Sequence, residues 1–246
     1  IYISPHFDDA VLSCGGLIAY QTGNHLPVEV YTITSGVPEI QIGSALMKSI
    51  QEQWKISSPK EAVLARRKED AQALARVGAK ADGFDFLDCI YRQDGKGSFY
   101  YQSIFDPIHP NEADLPHVIA EKINSVAHQD DIVVFPLAVG GHIDHVITNK
   151  AAQYVHAKCL FYIDIPYFFK DESILETIKK TQVEKNIKFG MEQFELWTEA
   201  IMDYSSQISS LFEGRADMEA KLVRYFQKFG GLSLWQLSSE SEQVRN

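Results

Sequence analysis

Strand-like and helix-like segments alternate along the first two thirds of the chain, and this alternation constrains the fold more than any other feature. Short segments rich in β-branched and aromatic residues predict strands, and the longer amphipathic segments between them predict helices. A chain that alternates in this way forms a mostly parallel sheet with helices on both faces. The sequence therefore predicts a Rossmann-like α/β fold. The predicted strands are residues 1–4, 27–36, 83–88, 131–139 and 159–167.

Helices are predicted over residues 8–23, 58–79, 115–127 and 145–157. The second of these shows both of its ends in the sequence. Ser58 is its candidate N-cap, and Pro59 stands in its first turn. Gly78 marks its end.

The pattern changes after Tyr167, where amphipathic segments replace the strand-like ones. Residues 192–212 and 216–229 predict helices, so we expect a helix-rich C-terminal extension over residues 168–246. No low-complexity linker separates it from the Rossmann-like core, residues 1–167, and no internal repeat is visible. We therefore predict a single domain over residues 1–246.

Composition narrows the class of protein. The chain carries 33 acidic and 23 basic residues, a net charge of −10, which argues against a surface that binds nucleic acid. Its three cysteines form no CxxC pair, and it shows no signal peptide and no apolar run near transmembrane length. We therefore expect a cytoplasmic protein without a membrane span. The sequence starts with Ile1 rather than methionine, which is consistent with an upstream segment, and it gives no indication of oligomeric state.

Polar side chains follow several of the predicted strands. His6, Asp8 and Asp9 come just after the first strand, and "GGHIDH", residues 140–145, comes after the fourth. Asp88 ends another strand. Because ligands bind outside the carboxyl ends of strands in an open parallel sheet, we expect these groups to form one site.

Two histidines and a carboxylate suit a catalytic metal ion. His6 and Asp9 are three residues apart across a strand-to-helix turn, so both can face one ion, and His145 would be the third ligand. This donor set fits zinc, and it also fits ferrous iron.

The remaining polar groups of the two motifs suit the chemistry around such an ion. Asp8 diverges from its neighbour and is free to act as a general base. His142 would serve as an acid or oxyanion stabiliser, protonated when it acts as a cation, and Asp144 would orient a histidine.

Each of these residues also has a purely structural interpretation. Asp9 could be only a helix N-cap, a contribution of about 1 kcal/mol. His142 and His145 could flank a surface turn, and the glycines at 15, 16, 140 and 141 could serve turn geometry alone. The occurrence of the same ligand types at two strand ends of one sheet favours the metal site.

At these residues the sequence resembles the PIG-L/LmbE family of zinc-dependent de-N-acetylases. That family carries an "HPDDE"-like motif and a later "HxDH", which stand here as "PHFDDA" and "GGHIDH". The stretches "RRKEDAQALARVGA", "FLDCIYR" and "YSSQISSLF" resemble further family segments. The combination of "LARRKED" with "FLDCIYR" is most similar to teicoplanin-type glycopeptide deacetylases. Phe7 and Ala10 stand where the family has proline and glutamate, so we expect a reshaped pocket.

The resemblance implies a zinc-dependent hydrolase that removes an N-acyl group, in the first place acetyl, from a small amino-sugar conjugate. By position it implies metal ligation by His6, Asp9 and His145. It further implies that Arg66 and Asp88 contact the sugar. Two alternatives are a catalytically inactive, metal-containing sugar-binding protein, which an intact general base disfavours, and a nucleotide-binding Rossmann protein, which the missing GxGxxG disfavours. The resemblance also implies that Asp8 is the general base and that His142 stabilises the developing oxyanion.

Overall fold

A seven-stranded sheet organises the computed structural model, which describes residues 1–40, 42–56 and 58–237. In those residues the strand order is β3-β2-β1-β4-β5-β7-β6. Strands β1 to β5 are parallel to one another, whereas β7 is antiparallel to β5 and β6 is antiparallel to β7. The predicted mostly parallel α/β fold is confirmed. The strands are β1 Tyr2–Ser4, β2 Glu29–Thr32, β3 Lys80–Gly83, β4 Ile132–Pro136, β5 Lys158–Tyr162, β6 Gln182–Lys188 and β7 Gly231–Leu237.

Two groups of helices cover this sheet. Helices α1, α3 and α8 pack together, and α4 packs with α5. No helix among the described residues is long and apolar enough to cross a membrane. The helices are α1 Asp9–Gly23, α2 Ala45–Trp54, α3 Pro59–Arg76, α4 Leu115–Asn124, α5 Ile143–Ala151, α6 Tyr167–Lys170, α7 Ile174–Thr181, α8 Met191–Met202, α9 Ser205–Leu211 and α10 Arg215–Phe229.

The order of the parallel strands reverses between β1 and β4, which lie side by side at the centre of the sheet. The chain runs outward from β1 to β2 and β3, and then crosses to β4 and continues to β5 on the other side. A crevice opens at such a switch point, outside the carboxyl ends of the two central strands. The loops after β1 and β4 both begin there.

The glycine pair in α1 serves helix packing and not a turn. A Cβ atom added at Gly15 would lie 2.5 Å from Trp197 Cδ1, and one added at Gly16 would lie 2.5 Å from Phe189 Cζ. These two positions bring α1 close to α8 and to the segment just before it. The turn interpretation is therefore wrong for this pair. The later pair, Gly140 and Gly141, does lie in a turn, with φ angles of 92° and 75°.

The third strand does not lie where the sequence predicts it. The prediction was residues 83–88, whereas β3 spans Lys80–Gly83 and its side chains are largely exposed. It is an edge strand with little apolar signal. Phe84, which follows it directly, stacks its ring on that of Tyr31 in β2, with the ring centres 5.3 Å apart.

The C-terminal part is helix-rich, as predicted, but it also adds β6 and β7 to the sheet. Sequence analysis missed both strands. Strand β6 lies at an edge of the sheet and carries mainly polar side chains, so it has little strand-like pattern. The helix predicted over residues 192–212 is two helices, α8 and α9, that are interrupted at Asp203 and Tyr204. Residues 238–246 of the predicted extension lie outside the described residues.

Candidate active site

The two motifs meet at the switch point between β1 and β4. His6 lies in the turn after β1, and Asp9 is the first residue of α1. His142 is the N-cap of α5, and His145 lies in its first turn. All four side chains are buried. The predicted convergence of the two loops on one site is therefore seen in the structure.

Three ligand-type atoms converge at the centre of the site. Asp9 Oδ2 lies 3.1 Å from His6 Nδ1 and 3.3 Å from His145 Nε2. The same oxygen accepts the backbone N–H of His6 at 2.8 Å. Burial raises the pKa of Asp9, but His145 and His6 outweigh this effect and hold it well below its usual value. Asp9 is thus an anionic acceptor between two imidazole nitrogens.

The opposite nitrogen of each imidazole contacts a second carboxylate. His6 Nε2 lies 3.1 Å from Asp144 Oδ2, and His145 Nδ1 lies 2.6 Å from Asp164 Oδ1. A carboxylate behind a histidine fixes the ring and favours a proton on the nitrogen facing it, as is common for metal-ligating histidines. His6 Nδ1 and His145 Nε2 are therefore the two nitrogens that face Asp9 Oδ2.

Several groups of side chains here are close enough to hold an ion. In the described residues these groups are His6 with His142 and His145, Cys89 with His142 and Asp144, and His6 with Asp88 and Asp144. Asp144 is already engaged by His6, Arg92 and a backbone amide, which disfavours the last two groups. The remaining group joins both motif histidines to His142 and does not include Asp9, although Asp9 Oδ2 lies within 3.3 Å of a ring nitrogen of each histidine. The ligand set of His6, Asp9 and His145 therefore stays a prediction.

Asp8 lies beside this cluster with a different environment. Its Oδ1 accepts a hydrogen bond from Arg66 Nη2 at 3.2 Å. Burial raises the pKa of Asp8, Arg66 lowers it and the neighbouring Asp9 raises it, with a net increase. A buried carboxylate with a raised pKa is a better proton acceptor than an exposed one, which suits a general base.

His142 has the features of a neutral donor. Its Nδ1 accepts the backbone N–H of Asp144 at 3.2 Å, which leaves the ring proton on Nε2. Burial, followed by the nearby His6 and His145, lowers the pKa of His142 well below its usual value. The geometry therefore favours a neutral ring that donates from Nε2, in contrast to the protonated cation expected from the sequence.

A cavity of about 350 Å³ opens over the cluster. Of the eight residues singled out from the sequence, seven line it, and Asp144 lies behind them. Arg66 Nη1 is 4.0 Å from Asp88 Oδ2, and the guanidinium lies 4.8 Å from the centre of the Trp54 ring. The seven lining residues are His6, Asp8, Asp9, Arg66, Asp88, His142 and His145.

Sequence analysis missed some residues of the site and overvalued others. Asp164 was not predicted as a site residue, yet it is fully buried and contacts His145. Helix α2, which brings Trp54 to the cavity, was not predicted. Phe7 and Ala10 are buried in the core and do not line the cavity, so the expected reshaping of the pocket has no direct contact to support it.

The mostly parallel α/β sheet carries a buried histidine–carboxylate cluster at its switch point, which is where such sheets bind their ligands. The chain belongs to the PIG-L family, described as GlcNAc-PI de-N-acetylase, whose profile matches residues 1–156. The resemblance drawn from the motifs is confirmed.

Relatives of similar length carry related names. A 2'-N-acetylparomamine deacetylase of Niallia circulans is 26% identical over 236 residues, which is 88% of this chain and 83% of the relative. A deacetylase–bog complex from the biosynthesis pathway of teicoplanin has a TM-score of 0.81 and 27% identity, with 98% of each chain covered. The zinc-inhibited form of the teicoplanin deacetylase Orf2 has a TM-score of 0.79 and 26% identity over 98% of each chain.

Proposed function

We propose that this protein is a metal-dependent hydrolase that removes an N-acyl group, in the first place N-acetyl, from an amino-sugar conjugate. The observation that carries the proposal is the convergence of His6 Nδ1 and His145 Nε2 on Asp9 Oδ2, with Asp8 beside them. The substrate class is supported by the names of relatives that deacetylate N-acetylparomamine and teicoplanin.

His6, Asp9 and His145 would hold the metal ion. Two imidazoles and a carboxylate suit zinc and ferrous iron, and zinc is our first choice for this donor set. The zinc-inhibited form of a relative supports a site that binds zinc. Because zinc inhibits that relative, the zinc concentration has to be varied in any assay of activity. A bound divalent cation supplies Lewis acidity for a water molecule and for an amide carbonyl.

The chain's own residues supply the proton transfers. Asp8 accepts a proton from the attacking water as its oxygen bonds to the carbonyl carbon. His142 Nε2–H donates a hydrogen bond to the oxygen that gains negative charge. Asp8 then returns the proton to the nitrogen as the C–N bond breaks, which yields a carboxylic acid and a free amine. Arg66 keeps Asp8 in place through the bond to its Oδ1.

The experiment is a screen of N-acetylglucosaminides with different aglycones, with release of free amine as the measurement. Metal-free protein is loaded with increasing zinc or, without oxygen, ferrous iron. We expect amine release from at least one substrate with loaded protein, and none after chelation.

Asp8→Asn separates the enzyme from the sugar-binding alternative. We expect this variant to keep its metal and to lose activity by roughly 10²–10⁴-fold, the range typical of a general base. A His6→Ala variant should lose both metal binding and activity. Metal binding without turnover of any substrate would contradict the proposal and favour the binding protein.

A further inference from the structure

Asp144 belongs to the "GGHIDH" motif but does not line the cavity. Its Oδ2 lies 3.1 Å from His6 Nε2 and accepts the backbone N–H of Cys89 at 3.0 Å. Its Oδ1 accepts a hydrogen bond from Arg92 Nη1 at 2.5 Å. Both oxygens are thus occupied, and the side chain is only 2% exposed.

Arg92 is held on the far side of this carboxylate. It is buried, and its Nε lies 2.7 Å from Glu112 Oε1. The Tyr101 hydroxyl donates to Glu112 Oε2, and the Tyr101 ring centre lies 5.3 Å from the guanidinium carbon. The planar guanidinium therefore bridges two buried carboxylates, an arrangement that lysine cannot reproduce because it lacks the rigid fork.

The chain of contacts ends at the metal site. Glu112 fixes Arg92, Arg92 fixes Asp144, and Asp144 contacts Nε2 of His6. With Nε2 facing Asp144, Nδ1 of the same ring faces Asp9 at 3.1 Å. Apart from His6, Arg92 is the one side chain in the described residues that forms an ion pair with the Asp144 carboxylate.

We propose that Arg92 is a positioning residue that holds the Asp144 carboxylate, and through it the His6 ring, in the orientation that binds the metal ion. This inference rests on the proposed function only in that the site takes up a metal. Arg92 acts through Asp144, so its loss weakens metal binding without removing a ligand. Partners that orient metal ligands typically change metal affinity by about 10–100-fold.

The test measures the zinc dissociation constant by competition with a chromogenic chelator. For Arg92→Ala we expect zinc binding that is about 10–100-fold weaker than in the unmodified protein. For Arg92→Lys, which keeps the charge but not the fork, we expect an intermediate constant. The matched control is Arg76→Ala, because Arg76 donates two hydrogen bonds to Asp203 on the surface. The zinc affinity of this variant should equal that of the unmodified protein.

Guanidinium rescue distinguishes positioning from general damage. Arg92 and Glu112 both line a second cavity, which Asp144 does not line. Millimolar guanidinium should restore zinc affinity to Arg92→Ala and leave Arg76→Ala unchanged, and sodium at equal ionic strength should restore nothing.

Arg92→Lys decides the case if the alanine variant does not fold. Unchanged zinc affinity in a folded Arg92→Ala, or in Arg92→Lys when only that variant folds, would overturn the inference. Failure of the unmodified protein to bind zinc or iron would instead contradict the proposed function, so the two failures are distinct.

Discussion

At the scale of single residues, Asp8 and Asp9 are neighbours of the same type with different surroundings. Asp9 faces two imidazole nitrogens, and its pKa is held low, whereas Asp8 faces one guanidinium, and burial keeps its pKa raised. The turn from β1 into α1 directs the two side chains apart. Their environments, rather than their chemistry, would separate a ligand from a base.

Gly140 allows Tyr167 to lie against the loop that follows β4. A Cβ atom at Gly140 would collide with the Tyr167 ring, which lines the cavity 5.6 Å from the His145 ring centre. We predict that Gly140→Ala displaces Tyr167 and raises KM for the amino-sugar substrate at least about tenfold. Steady-state kinetics checks this prediction.

Gly141→Ala is the matched control for this substitution. Gly141 also has a positive φ, 75°, but nothing lies within 4 Å of an added Cβ atom. Both variants should lose about 1–2 kcal/mol of stability because the left-handed conformation disfavours alanine. Only Gly140→Ala should change KM, and equal kinetic effects would show that Tyr167 plays no part.

Asp70 is a buried carboxyl one helical turn after Arg66. The Tyr204 hydroxyl donates to its Oδ1 at 2.7 Å. Burial raises the pKa of Asp70 well above its usual value of 3.8, and the hydrogen bond from Tyr204 opposes this increase only in part. Folding therefore favours the protonated form, so its contribution to stability is full below pH 3.8 and is lost as the pH rises through the raised pKa.

We predict that Asp70→Asn is more stable than the unmodified protein at pH 8, by about 1 kcal/mol or more, and that the difference shrinks at pH 4. The asparagine can still accept the Tyr204 bond but carries no charge to bury. Urea unfolding at the two pH values measures both differences. A variant that is less stable by the same amount at both values would show that Asp70 is ionised and paired.

At the scale of secondary-structure elements, the contact between α1 and α8 depends on a missing side chain. Trp197 Nε1 donates to Val11 O at 2.8 Å, so the indole that abuts Gly15 is fixed in place. We predict that Gly15→Ala destabilises the protein by about 1–3 kcal/mol through overpacking, despite the better helix propensity of alanine. Thermal or urea unfolding gives the change.

Gly23→Ala is the control within the same helix. Nothing lies within 4 Å of a Cβ atom at Gly23, so the propensity effect acts alone and the variant should be as stable as the unmodified protein or slightly more so. If both variants gain stability, the indole has room to move and the close approach does not limit the packing.

Sequence patterns correctly predicted the elements whose local residue pattern matches their place in the folded structure. Helix α3 has its expected Ser58 cap, which accepts the backbone N–H of Glu61, and β4 is a buried apolar run. The patterns failed where distant contacts decide. Tyr204 interrupts an amphipathic helix because it bonds to Asp70, a residue 134 positions away.

The candidate site divides in the same way. Residues with ligand chemistry at predicted strand ends, such as His6 and His145, were found from local sequence. Asp164 and Arg92 support those residues from other loops, and no local spacing links them to the two motifs. Their roles follow only from contacts such as the 2.6 Å separation of His145 Nδ1 and Asp164 Oδ1.

At the scale of the whole molecule, the C-terminal part completes the site built by the parallel sheet. Strand β7 pairs with β5, and α9 supplies Gln207, Ser210 and Leu211 to the cavity wall. Helix α9 is fastened to α3, where Glu69 accepts bonds from Ser205 and Ser206. The wall of the cavity therefore depends on segments more than 130 residues apart in sequence.

The predicted ligands also come from distant parts of the chain, which couples metal binding to global stability. His6 and Asp9 follow β1 and His145 follows β4, so an ion would link the two central strands at the switch point. Ligand that binds only the folded state, at 100 times its dissociation constant, stabilises it by about 2.7 kcal/mol. For a chain of this size that corresponds to a rise in Tm of roughly 5–10 °C.

We predict this rise when zinc is titrated into chelated protein, with differential scanning calorimetry as the measurement. His145→Ala should abolish it, because the variant lacks one ligand and leaves Asp164 without its partner. His117→Ala is the control and should keep the full shift, since His117 is a half-exposed residue of α4. A Tm that is the same with and without zinc in the unmodified protein would mean that the three side chains hold no ion in the folded state, and the histidine–carboxylate cluster would then be a buried polar network only.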